Sequence, residues 1–382
     1  MSFRSDFGGT AFPFVTGALP TWPRYASPSI DSSSVYTISP DENINYVLSK
    51  YKYVALQPDS VYHWKNIIIV SSVIIDGRGS VIKLDGNGPI FKLETRTLHP
   101  ANLFVSFYNI TFVGLEDVPD RSEHMQVDYL DHSAIWTHNA FKVTVQNCNF
   151  LNFKGAAVWF NDDNTYWTTK GWSQQHEVCY NRFQGCRIGI ANSGASEYSI
   201  ASLNLFYDCQ ICFYVIGGNW NRSSNMIVNC RSAYFHSKSG MWYAGSAGNY
   251  NAAHGSFTSS TLNHCDYGGN LWPTEFNGSD NKVYELAGMY FDDDSTYPPT
   301  WTGNTQYYGD MHIKNFKAAQ KNFCIVGCTI MGRAASDENV GNIRLDPAIA
   351  SKVYFIGCSG NEVVVFGGKK VNMIPDVFAV VK

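Results

Sequence analysis

The residues best suited to chemistry are carboxylates. Asp162 and Asp163 stand together in "VWFNDDNTYW", where a strand-like run gives way to a polar, Trp-bearing segment. Hydrolysis of a glycosidic bond takes two carboxyl groups, one to give a proton and one to activate water or attack carbon, and their separation sets the stereochemistry. Asp131, in "MQVDYLDHSAIW", and Glu177, in "SQQHEVCY", are further carboxylates that stacked segments could bring beside the pair. Flat side chains surround them: Trp159, Trp167, Trp172 and His132 nearby, and Trp220 and Trp242 next to Gly-rich turns in "GGNW" and "GMWYAG". An aromatic face gives a sugar ring an apolar surface to lie on. The candidate catalytic residues are therefore Asp162, Asp163, Asp131 and Glu177. The candidate substrate-binding residues are Trp159, Trp167, Trp172, His132, Trp220 and Trp242. Asn-Asp-Asp-Asn is equally ordinary turn chemistry, in which short side chains bond their own backbone. Hydrolysis, elimination and binding without cleavage all stay open.

Other chemistries find less support. The run "YFDDDSTYPP", with Asp292 to Asp294, groups oxygens of the kind calcium favours but lacks the alternating spacing of an EF-hand loop. Cys209 and Cys212, like Cys324 and Cys328, have no second pair at zinc-finger spacing. No metal ligands are assigned, and no cofactor is expected, with calcium as a minor alternative. Glycine-rich phosphate loops and nucleophile elbows are missing. A net charge of −4 without any Lys/Arg-rich run argues against nucleic acid as a partner.

The elements that must position these residues are strands and turns. Charged residues are only 16% of the 382 while aromatics are 15%, a balance that favours β structure. From about residue 100 a phrase recurs: a short alternating run, then Asn, Asp, His or Gly, then a small residue. The marker falls at Ile110, Cys148, Cys186, Cys209, Cys230, Cys265, Cys328 and Cys358, with intervals of 23 and 21 residues from Cys186 to Cys209 to Cys230. A unit of this length with two or three strands and no helix is one coil of a stacked solenoid, whose inward positions form ladders. The recurring Cys is then a buried thiol rung rather than a disulfide, and the residue before it a turn residue tolerant of left-handed φ. Ser39-Pro40 and Glu42 form a capping box for a short helix over 39–50, placed to cover the open N-terminal end of the stack. Residues 1–38 read as a non-repetitive docking arm, 51–365 as the solenoid and 366–382 as a C-terminal cap or subunit-contact segment. No apolar h-region opens the chain and no run is long enough to span a bilayer, so neither a Sec signal nor membrane insertion is expected.

The cap helix "DENINYVLSK", the opening "VSSVIIDGRGSVIKLDG" and the coils "VTVQNCNFLNFKGAAVWF" and "NMIVNCRSAYF" resemble the right-handed parallel β-helix proteins of the pectate-lyase-like superfamily, bacteriophage tailspikes in particular. The resemblance spans roughly residues 40–365. It implies an all-β, right-handed, single-stranded parallel β-helix with a short N-terminal capping helix, assembled as a homotrimer. By the same resemblance the protein is made in the host cytoplasm and carried on the virion tail, its arm docked on other virion proteins. Its role would be to recognise, and in many relatives to depolymerise, a host surface polysaccharide. A free-standing glycoside hydrolase or polysaccharide lyase, and a non-catalytic structural virion protein, are the alternatives. Of the polygalacturonase motifs only the Asp162-Asp163 pair is matched; "AHGS" at 253–256 has Ala where that family has Gly.

Overall fold

Each turn of the chain writes three short strands, and each strand pairs with its counterpart one turn later. The computed structural model describes residues 34–94, 103–122, 132–138, 140, 142–160, 173–192, 196–215, 218–237, 255–263, 265, 272–273, 275–277, 283–292, 300–307, 311–315, 322–331, 343–360, 363–365, 369–371 and 379–380. All of these but Ser34 belong to one compact unit, Val35–Lys382. Sheet 1 has thirteen strands, sheet 2 eleven and sheet 3 twelve, and the chain visits them in that order. A representative coil runs Lys142–Gln146 in sheet 1, Asn149–Leu151 in sheet 2 and Ala156–Phe160 in sheet 3. The pairing is parallel from coil to coil; Glu177 aligns with Ile200, and Ile200 with Asn221, reproducing the 23- and 21-residue periods. The fold is an all-β parallel β-helix. Two C-terminal strands reverse direction: Lys369–Val371 pairs antiparallel with Val363–Val365, and Ala379–Val380 with Val353–Ile356. Among the described residues no helix is long and apolar enough to cross a membrane.

The N-terminal details differ from expectation. Tyr36–Ile38, placed in the arm by sequence, is a strand of sheet 1 paired with Val54–Leu56. The helix covers Ile44–Lys50, not 39–50, and its N-cap is Asn43, whose side chain accepts from the N–H groups of Asn45 and Tyr46. Glu42 does reach back to the Ser39 N–H at 2.6 Å, yet it does so from a turn that precedes the helix. The Tyr36 hydroxyl also donates to Glu42, which holds the carboxylate outside the helix. Ile44, Val47 and Leu48 are buried in the main core.

The single ladder expected from the markers is two ladders at two corners. Ile110, Cys148, Cys328 and Cys358 follow turns from sheet 1 to sheet 2, whereas Cys186, Cys209, Cys230 and Cys265 follow turns from sheet 2 to sheet 3. Both positions point inward; all eight residues are at most 3% exposed, and all ten cysteines are free. Burial pushes the Cys148 and Cys212 thiols up to about 12, so they are neutral packing groups.

Between Cys148 and Cys328 the first corner is an amide ladder. Asn181, Asn204, Asn225, Ser260 and Asn304 occupy the rung that Cys148 begins. The Cys148 N–H donates to Asn181 Oδ1 at 3.0 Å, the Asn181 N–H to Asn204 Oδ1 at 3.0 Å, and the Asn204 N–H to Asn225 Oδ1 at 3.0 Å. Each Asn also gives its Nδ2–H to a strand carbonyl of an earlier coil, as Asn204 does to Val178 at 2.9 Å. A chain turning a corner cannot bond its rung N–H to the next strand, and the side-chain amide accepts it instead. Beside this ladder, inside sheet 2, Phe112, Phe150, Phe183 and Phe206 form a parallel stack with centroids 5.0, 4.7 and 4.7 Å apart. That is the spacing of neighbouring strands, so the backbone sets the ring spacing.

Truncating a ring inside the stack leaves a cavity that rigid coils on either side cannot close. Phe183→Ala is expected to lower unfolding free energy by about 3–5 kcal/mol. Asn204→Ala, which orphans the Asn181 N–H and the Val178 carbonyl, should cost about 1–3 kcal/mol. Denaturant unfolding of both variants against the parent chain checks the ranking.

Candidate functional site

The central strands of sheet 3 differ from those of the other two sheets in being buried on both sides. Ala156–Phe160, Ile188–Asn192 and Ile211–Val215 have every residue buried. Their inward members join the main core, while Ala156, Trp159, Ile188, Ala191, Ile211, Tyr214, Phe235 and Tyr290 form a second apolar cluster. The pairing register aligns Lys92, Trp136, Trp159, Ala191, Tyr214, Phe235, Tyr290 and His312 in a row across consecutive coils. Rings contact along that row: Trp136–Trp159 at 5.9 Å, Tyr214–Phe235 at 5.2 Å and Phe235–Tyr290 at 4.9 Å. Lys92 Nζ lies 4.6 Å from the Trp136 ring at one end of it.

The cover over this face comes from the chain's own insertions. Glu275–Asn277 and Val283–Glu285 form an antiparallel hairpin between sheets 2 and 3, and Phe276 packs 5.3 Å from Phe235. Basic residues anchor the same edge. Arg121 pairs with Asp208, whose carboxyl is nonetheless raised because its burial outweighs the ion pair. Trp272 Nε1–H donates to the Asp208 carbonyl at 2.8 Å, and Arg231 donates to the Trp272 carbonyl at 2.7 Å. Trp272 is 1% exposed and clamps the edge. On the opposite edge, residues 161–176, 238–255 and 293–299 join strands of sheet 3 to the next strands of sheet 1, and Ser173–Gln174 within the first pairs with Ser196–Glu197. Sheet 3 is therefore framed by insertions along both edges.

The candidate residues are dispersed over this architecture. His132 is 6% exposed at the sheet 2–3 corner, accepts the Lys154 N–H at Nδ1 (3.1 Å) and is held neutral by burial, its pKa lowered to about 4. Trp159 lies in the covered row on sheet 3. Trp220 is on the other side of the wall, fully buried in the interior, with Nε1–H donating to Ser196 at 3.1 Å. Neither tryptophan offers a free face to a sugar; both spend it on packing, which a flanking Gly-rich turn does not reveal. Glu177 is on the outward face of sheet 1, in an ion pair with Lys142 at 3.0 Å. The structure does not bring these four side chains together. Asp162, Asp163, Asp131, Trp167, Trp172 and Trp242 lie outside the described residues, as do Asp293 and Asp294 of the acidic run. Among the described residues no group of three His, Cys, Asp or Glu side chains is placed to hold a metal ion.

Beside Phe160 the interior is polar. His176 is fully buried against Phe160 (4.3 Å), accepts the Val143 N–H at Nδ1 and is held neutral, its pKa lowered to about 3 by burial. Arg222, also fully buried, donates to Asn192 Oδ1 at 2.7 Å and lies against the rings of Phe213, Trp220 and Tyr234. Burial lowers its pKa to about 10, so the guanidinium stays charged. A neutral imidazole and a guanidinium without a carboxylate partner among the described residues do not make an acid–base pair. This cluster was missed from sequence because a His after a Trp-rich segment and an Arg in a polar strand look like surface residues.

Residues 29–247 match the family model described as adenovirus EB1 55K protein / large t-antigen. No curated protein matches the chain.

Because His132 and His176 are neutral in the fold and ordinary in the unfolded chain, protons bind preferentially to the unfolded state below about pH 6.5. Stability is therefore complete above that pH and falls as pH drops toward about 4 for His132 and about 3 for His176. At pH 5 each should have lost roughly 2 kcal/mol. Urea unfolding at pH 7.5 and pH 5 checks this, with His176→Gln expected to flatten the difference. The matched segment holds 219 of the 382 residues, and the chain belongs to the adenovirus EB1 55K protein / large t-antigen family.

Proposed function

We propose that the protein is a virion component that recognises a host cell-surface polysaccharide through the sheet 3 side of its β-helix. The observation that carries this reading is the concentration of insertions along both edges of one face. A rigid stack of coils positions loops precisely, and recognition residues concentrate on loops held by such a scaffold. The family is named for an adenoviral protein, which supports a viral origin. The row of rings from Trp136 to Tyr290 packs with Phe276 and Leu286, which belong to the hairpin segment. Contact with sugar would fall to Trp167, Trp172 and Trp242 within the insertions, and cleavage, where the polysaccharide is a substrate, to Asp162 and Asp163. A homotrimer, with residues 1–38 docked on other virion proteins, completes the proposal.

Two measurements test it. Purified chain is applied to immobilised host surface polysaccharides, and Trp167→Ala and Trp172→Ala are each expected to weaken binding about tenfold, equivalent to ~1.4 kcal/mol. Absence of binding to any host polysaccharide would remove the recognition reading. Reducing ends or unsaturated uronate released by the parent chain but not by Asp162→Asn/Asp163→Asn would add cleavage. Binding without release, unchanged by that double substitution, leaves a receptor-binding protein without enzymatic activity.

A further inference from the structure

Cys328 and Cys358 stack on one another at the first corner. Val326 pairs with Ile356 and Thr329 with Ser359, each 30 residues apart, and the two cysteines hold the same offset between those pairs. Neighbouring parallel strands lie ~4.8 Å apart. That falls within the about 4.4–6.8 Å between Cα atoms that a disulfide spans without moving backbone. Cys358 Sγ already leans toward the earlier coil, 3.3 Å from the Ile325 carbonyl. Cys148, also at this corner, has Ile110 and Asn181 as rung neighbours and no thiol to meet.

The second corner stacks thiols too, but holds them inert. The Cys209 N–H lies 3.3 Å from Cys230 Sγ, and Cys186, Cys209 and Cys230 are fully buried. Burial pushes all three thiols well above their ordinary range, and it is the thiolate that reacts. At the first corner the hydrogen bond between the two thiols dominates instead; it lowers Cys358 to about 7 and raises Cys328. The approach differs as well. Each of the two rungs follows a glycine, Gly327 and Gly357, where an added Cβ would meet no atom within 4 Å, so backbone alone screens the sulfurs there. Cys358 also stands at the end of the stack. Reversing strands close the ends of sheets 1 and 3, whereas among the described residues sheet 2 ends on Ser359–Gly360 with no strand over it.

We propose that Cys328 and Cys358 form a dithiol site that a small hydroperoxide oxidises to a disulfide, stapling the last two coils beside the uncovered edge of sheet 2. The Cys358 thiolate attacks one oxygen of hydrogen peroxide and the O–O bond breaks. Cys358 becomes a sulfenic acid, and the hydroxide released takes up the proton that Cys358 had given to solvent. The Cys328 thiol then attacks that sulfur. An S–S bond forms, the S–O bond breaks, and the departing hydroxide carries off the Cys328 proton as water. In total two thiols lose two electrons and two protons, and one peroxide becomes two waters. A thiol reductant reverses the closure by exchange.

Peptide mapping tests the proposal. The native chain is treated with one equivalent of hydrogen peroxide, then unfolded, alkylated, digested and read by mass spectrometry. The expected product is a cross-linked peptide joining Cys328 to Cys358, lighter by two hydrogens, with Cys186, Cys209 and Cys230 alkylated. Amide hydrogen exchange at Tyr354, Phe355 and Ile356 should slow on closure and recover after reduction. Cys328→Ser/Cys358→Ser should show neither change; should that variant not fold, the map of the parent chain decides alone. Alkylation of both cysteines after peroxide, oxidation of Cys358 beyond sulfenic acid without a cross-link, or equal cross-linking among Cys186, Cys209 and Cys230 would each overturn it.

Discussion

The backbone spacing of parallel strands governs everything else in this protein. Once coils repeat at about 4.8 Å, a side chain's most intimate neighbour is the one in the same position a coil away. Rings that fit this spacing stack, as Phe150, Phe183 and Phe206 do, and amides that fit it chain together, as Asn181, Asn204 and Asn225 do. Each position is thus selected against its own copies. The thiols of the second corner fit for the same reason: a small polarisable group can sit directly over another without a void.

The three corners divide the work. The first takes four residues in the opening coils, then two in each of nine consecutive passages, and side-chain amides pin the middle ones. The second and third accept long segments, and the described hairpin of the second, Glu275–Asn277 with Val283–Glu285, packs on an apolar face. Central strands buried on both faces give that hairpin its floor, and Trp159, Tyr214, Phe235 and Tyr290 belong to it. Arg231 and Trp272 then tie one margin down with bonds to backbone carbonyls, which fix a loop's path whatever its outer residues are, and Arg121 adds an ion pair to the Asp208 side chain.

Much of the architecture was legible in the sequence because periodicity survives substitution. The 21- and 23-residue spacing of Cys186, Cys209 and Cys230 gave the coil length, since all three share a corner. The spacing from Cys148 to Cys186 misled, because Asn181 holds the rung of Cys148 and Asn had been read only as a turn former. Polar residues buried by their own repeats cannot be told from surface residues one at a time; Asn204 and Ser260 become interior only when their stacking partners are known. The candidate site was less legible still. Trp220 and Trp159 sit a few residues from similar Gly-rich or acidic turns, yet one faces the interior and the other an outer floor. Alternation along a strand says which residues share a face, and it takes the neighbouring coils to say what lies on that face.

The unequal corners also bear on how such a chain can change over time. Lengthening a segment at the second or third corner leaves the rungs of every coil in register, so a new loop can be tried without refolding the stack. A single added residue at the first corner would displace an amide from its rung and break two coils' hydrogen bonds at once. Diversification and constancy of length are therefore assigned to different edges of one solenoid: from Asn109 to Cys358 the first corner varies only in its side chains.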